Sequence, residues 1–259
     1  MYEDLDKRLE SKIRNKLSSK LPKGSLHDGF KKNKVVNEVL DKSTVMTLFR
    51  MISSGVISNV NGAIKAGKES VLFWGVDCDK NDIALKIYLV STSNFKNRMP
   101  YIRGDPRFSR VKKGTRSMVG LWAKKEFRNL SQCREAGVPV PRPIRVSNNV
   151  LAMEFVGSGG VPAGTLLESA VDAGDYRQAV DMLKRLYKNA RLVHGDFSEY
   201  NIFKTGAGLI LFDLGSAVDL SHPKSGEFLK RDIDNMTKFF AKRGLTVENP
   251  ADVYRSVVC

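Results

Sequence analysis

Asp196, Asn201 and Asp213 are the residues of this chain whose types and spacing most directly name a chemistry. They stand in Leu192-Val193-His194-Gly195-Asp196-Phe197-Ser198-Glu199-Tyr200-Asn201 and in Leu211-Phe212-Asp213-Leu214-Gly215. Two carboxylates and an amide carbonyl around a hairpin can accept a proton from a hydroxyl and hold a divalent cation against a nucleotide. Asp196 has the place of the catalytic carboxylate, and Asn201 and Asp213 have those of hard oxygen ligands to Mg²⁺. A lone Asp or Asn usually caps a helix or closes a turn. Three at these spacings, with an Asp-x-Gly after a hairpin pattern, argue for one shared site. His194 reads as structural, bonding nearby backbone, and Gly195 leaves room where a side chain would crowd. Ser198 is placed to touch phosphate. The acceptor is open at this point: a protein, a small molecule or water.

Upstream, Lys86 sits inside the apolar run Ala84-Leu85-Lys86-Ile87. An ammonium in a buried strand needs an anion, because an isolated buried charge is costly. Nucleotide phosphates supply one, with Glu126 on a following helix as orienter; the alternative is an edge strand with Lys86 in solvent. Gly62 to Ser70 precedes a strand, and backbone N–H groups around Gly67, Lys68 and Ser70 can approach phosphate. The stretch lacks the G-x-x-x-x-G-K-[ST] order and no helical pattern follows, which excludes a P-loop. Met153-Glu154-Phe155 ends a strand where a hinge can offer backbone groups to adenine, with Met153 lining the pocket; a plain core strand is the alternative.

The elements that must position these residues follow from periodicity. Leu5, Leu9, Ile13 and Leu17 make a helical stripe over residues 3–20, and 37–53 supports a second amphipathic helix. Strands are expected from 56, over 71–76, 83–90 and 150–156. Residues 91–116 are basic, with Gly and Pro, and predict a long loop or short helices inserted into a sheet. Helices are expected over 118–136, 176–189, 228–242 and from 249, and a hairpin over 202–212. The Gly-rich stretch 157–162 reads as a flexible joint. The expected class is α+β and bilobal: an N-terminal helical extension over 1–47, a β-rich N-lobe over 48–155 and a mainly helical C-lobe over 156–259.

Composition bounds the partners. Lys and Arg number 43 against 28 Asp and Glu, a net charge of +15. That imbalance favours polyanions such as RNA or a ribonucleoprotein, beyond what a nucleotide site alone requires. The longest apolar runs are too short to span a bilayer. No leader pattern opens the sequence, and three scattered Cys with three His argue against a zinc site and for reduced thiols, so a cytoplasmic location is expected.

With these residues in hand, the chain resembles the RIO family of atypical serine/threonine protein kinases, most of all its archaeal Rio1 branch. The matching pieces are Gly67-Lys68-Glu69-Ser70, Ala84-Leu85-Lys86-Ile87-Tyr88, Tyr101-Ile102-Arg103-Gly104-Asp105-Pro106-Arg107-Phe108 and Trp122-Ala123-Lys124-Lys125-Glu126-Phe127-Arg128-Asn129-Leu130. They continue in Val138-Pro139-Val140-Pro141, Met153-Glu154-Phe155, His194-Gly195-Asp196 to Asn201, and Asp213.

The resemblance implies a bilobal kinase fold without the conventional activation loop, and Mg²⁺ (or Mn²⁺) with ATP as cofactors. Lys86 would bind phosphate and pair with Glu126, Ser70 would sit in the phosphate loop, Asp196 would be catalytic, and Asn201 and Asp213 would bind metal. It further implies serine phosphorylation, including of the chain itself, or ATP hydrolysis with a transient phospho-Asp213. The implied setting is maturation of the small ribosomal subunit, with its precursor and rRNA as partners. Two departures stand out. Lys65-Ala66 precedes Gly67 where Ser-Thr is typical of the branch, and Asp-Leu-Gly replaces the Asp-Phe-Gly of ordinary kinases. Two other functions fit the downstream residues alone: a small-molecule phosphotransferase of the aminoglycoside type, and a non-catalytic ATP-binding assembly factor. The upstream segments argue against the first and the complete catalytic set against the second.

Overall fold

The computed structural model describes residues 41–90, 95–108 and 114–259. The expected helix over 3–20, most of the N-terminal extension and part of the 91–116 segment lie outside the described residues. The chain divides into two compact units that interleave along the sequence. The first takes residues 41–90, 114–127 and 143–162; the second takes residues 95–108, 128–142 and 163–259.

The first unit is β-rich. Helix α1 (Lys42–Ser53) starts at Asp41, whose carboxylate accepts the Thr44 N–H at 2.7 Å, and it buries Val45, Leu48 and Met51. Strands β1 (Asn59–Ala66), β2 (Ser70–Val76), β3 (Asp82–Tyr88), β4 (Pro143–Ser147) and β5 (Val150–Glu154) form one antiparallel sheet in the order β1-β2-β3-β5-β4. The side chains of β2 alternate between buried and half-buried, whereas β3 is buried on both faces after its first residue, as its near-continuous apolar run requires. Phe73, Leu85, Ile87 and Val150 join the α1 residues in the core. Strand β4 carries no clear alternation and opens on a proline, so its pattern is not one that predicts a strand.

The stretch expected to be a flexible joint is instead a tight hairpin of β6 (Gly157–Ser158) and β7 (Val161–Pro162). The reason is chemical. Asp82 accepts the Trp74 indole N–H at 2.8 Å with one oxygen and the Gly159 N–H at 2.9 Å with the other. Gly160, at φ +83°, lies so close to Trp74 that an added Cβ would come within 2.6 Å of the ring.

The second unit is mainly helical. It holds α2 (Phe95–Ile102) and a 3₁₀ turn at Pro106–Phe108, the short helices of the inserted segment, and the end of α3 (Thr115–Glu135), whose start belongs to the first unit. Then come α4 (Ala173–Lys188), β8 (Leu192–Val193), the hairpin β9 (Ile202–Thr205) and β10 (Gly208–Leu211), β11 (Val218–Asp219), α5 (Ser225–Lys242) and α6 (Pro250–Val258). Asp172 caps α4 with a reciprocal capping box with Asp175. Residues 220–224 alone separate β11 from α5, so there is no room for a conventional activation segment. Among the described residues no helix is long and apolar enough to cross a membrane.

Candidate active site

Two short ladders bring the downstream residues together. Strand β8 pairs antiparallel with β11, and β9 pairs with β10 in a register that places Ile202 opposite Leu211. The loop 194–201 therefore begins at one ladder and ends at the other, and the loop 212–217 does the same in reverse. The β9–β10 register runs on outward, with the Phe212 N–H donating to the Asn201 carbonyl at 2.9 Å, and the Phe203 and Phe212 rings stack at 4.0 Å. A hairpin thus sets Asn201 beside the Asp213 segment.

Within the loop, both amide hydrogens of Asn201 go to Asp196, one to its backbone carbonyl at 2.9 Å and one to its carboxylate at 3.0 Å. That use of the NH₂ group leaves Oδ1 as the acceptor end. Asp196 reaches solvent, yet the protein around its carboxyl removes enough water to push its pKa above the ordinary carboxylate range. The like charge of Asp213 adds to this, while the Asn201 hydrogen bond and Arg231 oppose it. Asp213 is exposed and holds left-handed backbone at φ 58°, ψ 60°, immediately before the 3₁₀ turn Leu214–Ser216. His194 is fully buried and ties the two loops: its Nδ1 accepts the Asp196 N–H at 3.2 Å, and its Nε2 lies 3.3 Å from the Phe212 carbonyl. Gly195, at φ +76°, leaves a Cβ little room: it would meet the Ser216 carbonyl at 3.1 Å and the Tyr101 ring at 3.2 Å. The carbonyl of Ser198 accepts the Asn201 N–H at 3.0 Å.

In the β-rich unit, Lys86 is buried between Leu72 and Leu151 in the sheet register. Its Nζ lies 2.9 Å from each carboxylate oxygen of Glu126, which is fully buried on α3 and also accepts the Tyr88 hydroxyl hydrogen. Gly67, Lys68 and Ser70 form the β1–β2 turn, closed by the Gly67 N–H on the Ser70 carbonyl at 2.9 Å, whereas Gly62 lies within β1 beside a bulge. Met153 and Phe155 are buried at the end of β5 with Glu154 exposed between them, and Glu154 stands opposite Ile83. The structure therefore assembles Lys86 with Glu126 in one unit and Asp196 with Asn201 and Asp213 in the other.

The sequence alone did not single out Asp232, Arg231 or Asn129. Asp232, buried on α5, accepts the Gly195 N–H at 2.7 Å and the Phe197 N–H at 3.0 Å. Arg231 donates to the Gly195 carbonyl and to the Tyr101 hydroxyl. Asn129, buried on α3, donates to the Leu214 and Ala217 carbonyls. The available signal was a polar residue on an apolar helical stripe: Asp232 falls between Phe228, Leu229, Ile233 and Met236.

A family model described as the RIO domain matches residues 71–253. The chain belongs to the RIO family. Among RIO proteins it is 39% identical over 213 residues to the RIO-type serine/threonine-protein kinase Rio1 of Haloferax volcanii, covering 82% of this chain and 73% of that one. It is 37% identical over 229 residues to the serine/threonine-protein kinase RIO1 of Caenorhabditis elegans, covering 86% of this chain but 45% of that protein. The chain thus spans less than half the length of that animal relative. The Rio2 kinase of Chaetomium thermophilum has the same fold, with a TM-score of 0.65 at 25% identity over 83% of this chain and 66% of that one. That kinase is also known as an ADP/Mg²⁺-phosphoaspartate complex. The two-lobed architecture of this RIO chain, β-rich first and mainly helical second, is therefore the kinase-like one.

Proposed function

We propose that this chain is an Mg²⁺-ATP-dependent serine/threonine protein kinase whose site also hydrolyses ATP by way of a transient phospho-Asp213. The observation that carries this is the Asp196–Asn201 pair. The amide spends its hydrogens on the catalytic carboxylate and keeps Oδ1 for a cation, beside the segment that carries Asp213. The donor set fits Mg²⁺, a carboxylate and an amide oxygen with substrate phosphates completing the shell. When bound, Mg²⁺ would neutralise charge on the phosphate oxygens.

The chain's own groups do the rest. Asp196 orients the acceptor hydroxyl and takes its proton, and a raised pKa makes its carboxylate a better base than an ordinary aspartate. Lys86, held in place by Glu126, binds phosphate oxygens. Backbone of the Gly67–Ser70 turn and the Ser198 hydroxyl offer further donors, and Met153 to Phe155 receive adenine. In the hydrolytic form Asp213 accepts the phosphoryl group, ADP leaves, and water then releases phosphate.

The net charge of +15 supports a polyanionic setting, which we take to be the small-subunit precursor and its rRNA; the chain itself as a further substrate and a cytoplasmic location belong to the same reading. The deciding assay measures phosphate release and phosphoserine formation with Mg²⁺-ATP, with and without small-subunit particles. Asp196→Ala should abolish both products, and unchanged activity in that variant overturns the proposal. Pelleting with particles at rising salt tests the setting, because backbone-directed binding weakens steeply with salt.

A further inference from the structure

The side chain of Arg107 is buried in the second unit, and none of its hydrogen bonds below goes to a residue assigned above to catalysis. Its guanidinium forms a two-pronged pair with Asp105, Nε to Oδ1 at 2.9 Å and Nη2 to Oδ2 at 2.7 Å. Nη1 then donates to Asn129 Oδ1 at 2.9 Å and to Gln132 Oε1 at 3.1 Å. A guanidinium can only donate, so it dictates which end of each amide faces it. Both carbonyl ends turn toward Arg107 and both NH₂ ends turn away.

One of those outward NH₂ groups lands on the 212–217 loop, and the other lands on the turn that leads into β8. Asn129 Nδ2 donates to the Leu214 carbonyl at 2.8 Å and the Ala217 carbonyl at 2.9 Å, bracketing the turn that follows Asp213. Gln132 Nε2 donates to the Ala190 carbonyl at 2.6 Å, just ahead of β8 and the loop that carries Asp196. A buried ion pair is weak evidence for stability, since replacing it by apolar residues is often neutral. Fixing the direction of two amides is something apolar residues cannot do.

We infer that Arg107 is a positioning residue that, through Asn129 and Gln132, sets the Asp213 turn and the entry to the Asp196 loop separately. The inference rests on the kinase reading for what the two loops do. It follows that the two amide arms have different effects. The Asn129 arm governs how Asp213 meets the metal, and the Gln132 arm governs the placement of Asp196.

The experiment compares full-length wild type with Asn129→Asp, Asn129→Ala, Gln132→Leu and Arg107→Lys. The readouts are ADP affinity in Mg²⁺ and in EDTA, kcat with Mg²⁺-ATP, and backbone hydrogen exchange. Asn129→Asp keeps the size of the side chain but has no hydrogen to give, and Asn129→Ala serves if it does not fold. The Asn129 variants should lose about tenfold of the Mg²⁺-dependent gain in ADP affinity with the EDTA affinity unchanged, the scale seen when groups behind metal ligands are removed. Gln132→Leu should keep that gain and lower kcat by about tenfold. Arg107→Lys should show both effects, with faster exchange at 214–217 and around 190–193 and unchanged exchange in β2 and β3. Equal effects of the two arms on both parameters, or variants that lose stability alone, overturn the inference. A wild type that neither binds Mg²⁺-ADP nor turns over ATP overturns the kinase reading instead. The exchange comparison then still decides whether Arg107 holds the two segments.

Discussion

Asp232 and Gly195 are joined by a 2.7 Å hydrogen bond from the glycine N–H to the buried carboxylate, whose second oxygen takes the Phe197 N–H at 3.0 Å. One side chain of α5 therefore clamps the backbone on both sides of Asp196. Burial pushes the Asp232 pKa up to about 7, against the two N–H donors and Arg231, which favour the charged form; the Asp196 charge adds to the rise.

The sign of the pH effect follows from that rise. Between about pH 4 and 7 the native state binds the Asp232 proton more tightly than the unfolded chain does. The stability contributed by this group is full below that window and is lost as the pH rises through about 7. The margin of wild type over Asp232→Asn, which cannot titrate, should therefore shrink as the pH is raised from about 5 to about 8. Urea unfolding midpoints across that range measure it, and a margin that grows with pH contradicts the assignment.

Asp196 and Asp213 should separate by variant kinetics. Asp196→Ala is expected to keep nucleotide affinity and lose turnover by about 100-fold or more, the usual scale for removing a general base. Asp213→Ala should lose the Mg²⁺-dependent part of nucleotide binding. Titration with a fluorescent nucleotide in Mg²⁺ and in EDTA distinguishes them. ATP affinity that survives Asp213→Ala and is indifferent to EDTA would falsify this division of roles.

The Lys86–Glu126 pair should behave as a buried pair does. Lys86→Met strands the Glu126 carboxylate and should cost about 3 kcal/mol. Lys86→Met with Glu126→Leu should recover much of that stability while remaining unable to bind phosphate. Denaturant unfolding of the four species of the cycle gives the coupling, and additive losses would show that the two side chains do not interact.

Gly160→Ala should loosen the hairpin after β5. The new Cβ meets the Trp74 ring and the backbone is left-handed, so a loss of about 1–2 kcal/mol is expected. Trp74 and Trp122 are the tryptophans of the chain, so the emission of a Trp122→Phe background reports the hairpin directly. A variant with unaltered Trp74 emission and unaltered stability would show that the hairpin does not rest on the indole.

The sequence was most legible where one residue is out of character with its surroundings. Lys86 in an apolar strand, and two Asp and an Asn flanking a hairpin pattern, needed no structure to be noticed. The sheet strands other than β4, and the long helices, were legible because their periods persist over many residues. Strands β8 and β11 were not, because two residues carry no period and their pairing is non-local. The hairpin at 157–162 read as a joint because glycine signals freedom; what removes that freedom is Asp82 and Trp74, distant in sequence. Asp232 and Asn129 act through backbone partners, and backbone leaves no trace in a string of side chains; Arg107 acts through Asn129 and Gln132, which are distant from it in sequence.

The left-handed backbone at Asp213 has an evolutionary consequence. Asparagine tolerates that conformation as well as aspartate does, and a single base change separates the two. The exchange also removes a like charge that presses on Asp196. The backbone conformation there does not by itself oppose loss of the carboxylate. A lineage released from selection for phosphoryl chemistry should therefore drift to asparagine at this position early, and inherit a well-folded, inert descendant.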